Sequence, residues 1–208
     1  VPMPWLAEGT EFVPMWMFTE NGHPFAGDPR HALARLLDRY QRLGWRAIAA
    51  VELEFILIDQ SAPKPRPAEA ADGAGQVLGV EQLDAFAPVF DEIFDAAAAM
   101  GIPAQGALSE SGVGQFEVTL NHGPAMRMAD DVWLMKQLIR GAARKQGLAA
   151  TFMAKPFDDQ PGNSMHAHVS ILDRDGRNLF DNGIHTGAGL LHRAVAGGLA
   201  CVPAATSA

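Results

Sequence analysis

Two glutamates interrupt an apolar segment of this chain, VELEFILID at Val51–Asp59. Glu52 and Glu54 are two residues apart, so on a β-strand their carboxylates point to the same face. Their neighbours are valine, leucine, isoleucine and phenylalanine, and two like charges beside apolar side chains are costly unless a cation lies between them. The pair therefore indicates a site for a positively charged group.

Two further segments, GQFEVTL and SMHAHVSIL, carry polar side chains at every second position. The polar residues of these two segments, with one glutamate just upstream, are Gln115, Glu117, Thr119, His166, His168, Ser170 and Glu110. If these faces converge with the glutamate pair, the site contains four carboxylates and at least one imidazole. That donor set suits Mg²⁺ or Mn²⁺ better than Zn²⁺, and it exceeds what one divalent ion requires, which predicts two metal ions.

The alternative interpretation is that each polar face is simply the solvent-facing side of a half-exposed antiparallel strand. Spacing along the chain does not show that the three faces meet. The glutamate pair favours a metal site more strongly than the two histidines do, because the residues around Glu52 and Glu54 are apolar.

The elements that must position these residues are a mixture of helices and strands. Periodicity and capping residues predict helices at 29–43, 81–100, 124–146 and 186–200, and strands at 11–18, 45–59, 102–109, 114–120, 149–155 and 164–172. Segment 60–79 is rich in Pro, Ala and Gly, which predicts an exposed, flexible loop. Hairpin-like joins between strands favour an α+β fold.

Composition limits the class of protein. The chain has 208 residues, of which 48% are hydrophobic, which is typical of a globular domain. A net charge of −8 without a basic cluster argues against nucleic acid or an anionic membrane as partner. No apolar run approaches the ~20 residues of a membrane helix. Cys201 is the only cysteine, which excludes an intrachain disulfide and favours a cytoplasmic location.

Four motifs, in the same order along the chain, resemble the catalytic domain of the glutamine synthetase family. They are ELEF at the end of an apolar strand, SESGVGQFEVTL, TFMAKP and GNSMHAHVSI. The resemblance extends from about Pro2 to the last predicted helix. It implies an α+β domain whose antiparallel sheet forms part of an open barrel with flanking helices. It also implies that residues 1–208 are a fragment, which lacks an N-terminal β-grasp domain and the C-terminal part of the catalytic domain.

The resemblance implies two metal sites. Glu54, Glu110 and Glu117 match the ligands of one divalent ion. Glu52 and His166 match ligands of a second ion, which lies next to the nucleotide phosphates. Mg²⁺ or Mn²⁺, in two or more copies, and ATP are the expected cofactor and co-substrate.

Other motif residues match the substrate sites of the family. His168 and Ser170 match positions that line the ATP site, and Gly162 matches the loop whose backbone meets glutamate. Ser164 stands where the family usually has glycine, and Lys155 is a motif residue without an assigned role. No residue is assigned as the catalytic base.

The implied activity is ATP-dependent ligation of glutamate, through γ-glutamyl phosphate, to an amine. The segments LSESGVGQFE and KPFDDQPGN resemble the branch of the family that uses polyamines such as putrescine, or other alkylamines. Ammonia is the alternative acceptor. Two further hypotheses are an inactive relative with a structural or regulatory role and a nucleotide- or metal-binding module without ligase chemistry. The family also implies a homo-oligomeric ring for the full-length protein and an inactive fragment.

Overall fold

A computed structural model describes residues 1–61, 63–70 and 77–205. Its helices and strands, in chain order, are α1 (Pro29–Arg42), β1 (Arg46–Asp59), β2 (Arg66–Pro67), α2 (Val80–Ala85), α3 (Ala87–Met100), β3 (Ala104–Ser109), β4 (Gln115–Pro124), α4 (Ala125–Lys145), β5 (Leu148–Thr151), β6 (Met165–Leu172) and α5 (Gly189–Ala205). The predicted α+β class is confirmed. None of the helices in the described part of the chain is long and apolar enough to cross a membrane.

Strand β1 has the most neighbours in the sheet. It pairs with β2, β4, β5 and β6, and β4 pairs in turn with β3. The pairings of β1 with β2, of β1 with β5 and of β3 with β4 are antiparallel. In the β3–β4 register, Leu108 lies opposite Glu117. The strand that carries the glutamate pair is thus held by partners on both edges.

The described chain divides into two compact units. The first contains Val1–Met15 and Ala50–His168, and the second contains Trp16–Ala49 and the described residues from 169 onward. In the first unit, α3 and α4 pack together, and the core includes Phe55 and Phe116, whose ring centroids are 6.2 Å apart. Burying each such side chain stabilises the unit by about 1.5–3 kcal/mol.

In the second unit, Asp28 anchors the segment before α1. Its carboxylate accepts a hydrogen bond from the Arg30 N–H at 2.9 Å, which caps the helix, and another from the Met17 N–H at 3.0 Å. The His31 ring contacts the Met17 carbonyl at 2.8 Å. The bond from Met17 is the largest cause that lowers the pKa of Asp28. The predicted start of this helix is confirmed.

Several predicted boundaries differ from the structure. The helix predicted at 81–100 is two helices, because Pro88 has no N–H to continue the hydrogen-bond ladder and Phe86 leaves the helical conformation with φ −111°. The predicted strand at 11–18 is wrong, since the segment forms only isolated bridges. Strand β5 ends at Thr151, where a loop begins, and not at 155.

The segment predicted as a flexible loop, 60–79, is described in part. Within it, β2 pairs with Ile58 and Asp59 of β1. The Arg66 guanidinium donates to the Asp59 carboxylate at 2.9 Å, and Ala68 is buried. The described residues therefore include a short strand. Residues 62 and 71–76 lie outside the described part, and the mobility of the segment stays a prediction.

Candidate metal centre

Strand β1 places Glu52 and Glu54 on one face. Leu53 and Phe55, which alternate with them, have no exposed surface, whereas both glutamates are only partly buried. The strand is fully extended and apolar on its other face, so the packing of Leu53 and Phe55 determines where the two carboxylates point.

The first cluster of ligand atoms comes from Glu54, Glu110 and Glu117. One carboxylate oxygen of each lies within 4.8 Å of the others. Burial raises the pKa of Glu117, and the charges of Glu52, Glu110 and Glu54 raise it further. Burial, followed by the charge of Glu54, likewise raises the pKa of Glu110. A cation at this position would offset both the desolvation and the repulsion.

The second cluster comes from Glu52, Glu117 and His166, whose ligand atoms also lie within 4.8 Å of one another. The His166 Nδ1 atom is 3.0 Å from one oxygen of Glu52, and the His168 Nε2 atom is 3.0 Å from the other. His168, expected on the ATP site, thus contacts Glu52. Its role toward a nucleotide stays a prediction.

Glu117 belongs to both clusters, although sequence reasoning placed it in the first alone. It lies on β4, beside the central strand, and only 7% of its surface is exposed. No spacing in the sequence contains this information, since it depends on the distance between strands. The donors of the two clusters are carboxylates and one imidazole, and this chemistry fits two neighbouring Mg²⁺ or Mn²⁺ ions that share Glu117.

Glu54 is held by three hydrogen-bond donors. The Ser164 N–H donates to its Oε2 atom at 2.9 Å, and the Ser164 hydroxyl donates to its Oε1 atom. The Gln115 side-chain amide lies 3.3 Å from the same Oε2 atom. The Ser164 hydroxyl is also 3.3 Å from His166 Nε2. Ser164 thus contacts one ligand from each cluster.

The loop before β6 brings Gly162 close to other backbone. A Cβ atom at Gly162 would lie 2.5 Å from the Ala154 carbonyl oxygen, so the approach requires glycine. The Asn163 N–H donates to that same carbonyl at 2.9 Å. Its side-chain amide donates to the carbonyls of Met153 and Thr151 at 3.0 and 3.3 Å. These bonds fix the backbone of the loop that was predicted to meet glutamate.

Lys155 and Ser170 have local partners. The Lys155 ammonium donates to the Gln160 carbonyl, and the Gln160 side chain accepts a bond from the Val113 N–H at 3.2 Å. Lys155 therefore closes a turn, and Gln160 connects that turn to Val113, two residues before β4. Ser170 belongs to the second unit, where its hydroxyl accepts a bond from the Asn178 amide at 3.4 Å. Its role at the nucleotide stays a prediction.

Comparison with known proteins identifies the family. The family model described as glutamine synthetase, catalytic domain, matches residues 26–208. Gamma-glutamylputrescine synthetase PuuA of Escherichia coli K12 is 34% identical over 209 residues, which cover 95% of this chain and 44% of that protein. Glutamate–isopropylamine ligase of a Pseudomonas species is 31% identical, with 81% of this chain and 38% of that protein covered. Glutamine synthetases also match.

A solved structure agrees with this. The structure of a GmaS/ADP complex shares 31% sequence identity and superposes with a TM-score of 0.73, covering 81% of this chain and 39% of the other. This chain spans less than half the length of the relatives named here. The family model covers most of the chain, and the fold and the order of the motifs agree with it. The chain therefore belongs to the glutamine synthetase family, of which it carries catalytic-domain sequence.

Proposed function

We propose that this protein joins glutamate, through its γ-carboxylate, to an amine, with ATP as co-substrate and Mg²⁺ or Mn²⁺ as cofactor. The observation that carries the proposal is the pair of ligand clusters that share Glu117 beside the loop of Gly162. The names of PuuA and of the Pseudomonas isopropylamine ligase support an amine as acceptor.

The proposed roles follow from these positions. Glu54, Glu110 and Glu117 hold one ion, and Glu52, Glu117 and His166 hold the other. Bound there, divalent cations supply the positive charge that lets an anionic carboxylate approach an anionic triphosphate.

The substrate roles of the remaining predicted residues are also proposals. The backbone around Gly162 contacts glutamate, and His168 and Ser170 line the nucleotide site. The hydrogen bond from His168 to Glu52 supports a position beside the second cluster.

The chemistry has two steps. An oxygen of the γ-carboxylate forms a bond to the γ-phosphorus of ATP, and the bond from that phosphorus to the bridging oxygen breaks to release ADP. The amine nitrogen then forms a bond to the γ-carbon, phosphate leaves, and the nitrogen loses a proton. The group that accepts this proton is unassigned.

Ammonia is the second candidate acceptor, because glutamine synthetases also match the chain. An inactive structural relative is disfavoured, since all five predicted metal ligands lie in the two clusters. We further propose that the chain is part of a longer protein that works as a homo-oligomeric ring in the cytoplasm. The family resemblance is the support for this.

The test is phosphate release by the full-length protein with ATP, glutamate and Mn²⁺, measured with putrescine, isopropylamine and ammonia in parallel. We expect release that requires glutamate and is greater with an amine than with ammonia. A response to ammonia alone would refute the amine as acceptor, and no glutamate-dependent release would refute the ligase. The variant Glu117→Gln should lose release, whereas Glu92→Gln, on a surface ion pair with Lys145, should retain it.

A further inference from the structure

Gln115 is a buried amide at the first position of β4, with 1% of its surface exposed. Its Oε1 atom accepts a hydrogen bond from the Gly112 N–H at 3.0 Å. On the other side, its Nε2 atom lies 2.8 Å from the Gly162 carbonyl oxygen, 3.1 Å from Asn163 Oδ1 and 3.3 Å from Glu54 Oε2. One donor faces the oxygen and three acceptors face the nitrogen, so the orientation of the amide is determined by its partners.

Through these bonds, Gln115 connects three parts of the candidate site. Glu54 is a proposed metal ligand on β1, and Gly162 and Asn163 form the proposed glutamate loop. The third part is the turn that carries Glu110, whose N–H donates to the Gln115 backbone carbonyl at 2.9 Å.

Glycine at position 112 allows the close approach on the oxygen side. A Cβ atom there would lie 2.7 Å from Gln115 Oε1, which is closer than a carbon and an oxygen atom can approach without a bond between them. The Gln115 N–H in turn donates to the Gly112 carbonyl at 3.1 Å. The turn and the amide therefore hold each other in one conformation.

We propose that Gln115 is a positioning residue that fixes Glu54 and the Gly162–Asn163 loop in a single geometry, an inference that rests on the proposed function. It acts through Glu54 and through the loop, both of which lie within hydrogen-bond distance of its amide nitrogen. Its amide supplies two N–H groups to three oxygen acceptors that otherwise face one another, one of them a charged carboxylate. Without these donors, the three oxygens face one another unscreened, and only the Ser164 N–H and hydroxyl still hold the loop to Glu54.

The first test is Gln115→Met, which keeps the length of the side chain and removes both donors. Titration with Mn²⁺ should show about tenfold weaker binding, as is usual when a group that orients a metal ligand is lost. Hydrogen exchange of the backbone amides of 162–165 should be faster than in the wild type. In the ligase assay, KM for glutamate should rise by a larger factor than kcat falls.

The matched control is Gln82→Met, which replaces a buried glutamine on α2. It should leave the Mn²⁺ affinity and the amide exchange of 162–165 at wild-type values, even if the melting temperature decreases. If Gln115→Met behaves in the same way, Gln115 has only a structural role and the proposal is overturned.

A second variant, Gln115→Glu, keeps the acceptor for Gly112 and cannot donate when ionised. Its decisive measurement is the amide exchange of 162–165, because the added charge would itself change the affinity for Mn²⁺. Faster exchange supports positioning, and wild-type protection overturns it. If wild-type protein releases no phosphate with glutamate, the proposed ligase fails, while Mn²⁺ binding and exchange still decide the role of Gln115.

Discussion

Replacement of Glu117 by glutamine should change stability in opposite directions with and without a divalent ion. The glutamine has the same shape and removes one negative charge from both clusters. Without metal, the wild-type carboxylate is buried beside Glu52, Glu54 and Glu110, and both burial and these charges raise its pKa. The variant should therefore be more stable than the wild type when no metal is present.

The magnitude follows from the distances. Ligand atoms within 4.8 Å of one another correspond to a repulsion of about 1–4 kcal/mol for a pair of unit charges, depending on the local dielectric. A gain of even about 1 kcal/mol raises the melting temperature of a domain of this size by about 2–4 °C. Mn²⁺ at 100 times its Kd stabilises the wild type by about 2.7 kcal/mol, and the variant should lose most of that gain.

The assay is thermal unfolding of the wild type and of Glu117→Gln, each in chelator and in a series of Mn²⁺ concentrations. We expect the melting curves to cross, with the variant more stable in chelator and the wild type more stable in Mn²⁺. Glu92→Gln is the control for loss of one carboxylate, since the ion pair of Glu92 with Lys145 lies at the surface and contributes about 0–1 kcal/mol.

Two results would refute the reasoning. If Glu117→Gln lowers the melting temperature in chelator, repulsion among the carboxylates is not the dominant effect at this position. If the variant keeps the full increase with Mn²⁺, Glu117 is not a ligand shared by two ions.

Three other predictions concern single residues elsewhere in the chain. Hydrogen bonds lower the pKa of Asp59 from 3.8 to about 2, and the bond from the Ser61 side chain has the largest effect. The stability that results is fully present above the unfolded pKa of 3.8 and is lost as the pH falls through the folded pKa of about 2. Asp59→Asn should therefore flatten acid unfolding in that window, and an unchanged acid profile would contradict this. Asp28→Ala removes the cap of α1 and the bond to Met17 and should lower the free energy of unfolding, measured in urea, by about 1–2 kcal/mol. An unchanged urea midpoint would show that Asp28 does not stabilise this segment. Gly162→Ala places a Cβ atom 2.5 Å from the Ala154 carbonyl oxygen, so the loop must shift and KM for glutamate should rise at least tenfold in the ligase assay. An unchanged KM would show that this loop does not contact glutamate.

The sequence alone determined the features that depend on near neighbours in the chain. Glu52 and Glu54 share a face because a strand repeats every two residues. The start of α1 was predictable because Asp28 and Pro29 are adjacent and their capping chemistry is local. Periodicity also identified β6 and α4 to within a few residues. The order of four motifs identified the family.

The boundaries that failed were those that packing or a single residue decides. Pro88 divides the helix predicted at 81–100, although its apolar pattern is continuous. Residues 11–18 have the composition of a strand, but they form only isolated bridges. Arg66 and Pro67 lie in a segment whose composition predicts a loop, but they pair with Asp59 and Ile58 at the end of β1 and so join the sheet.

Only the tertiary structure decided which carboxylates share a site. Glu117 joins both clusters because β4 lies beside β1 in the sheet, and the pairing of strands distant in sequence leaves no periodic trace. The partners of Gln115 come from β1, from a turn and from a loop, at sequence separations of 61, 3 and 47 residues. Only the folded chain brings together residues that are 47 and 61 positions apart in the sequence. Residue types therefore predicted the chemistry of the site, and the fold determined its geometry.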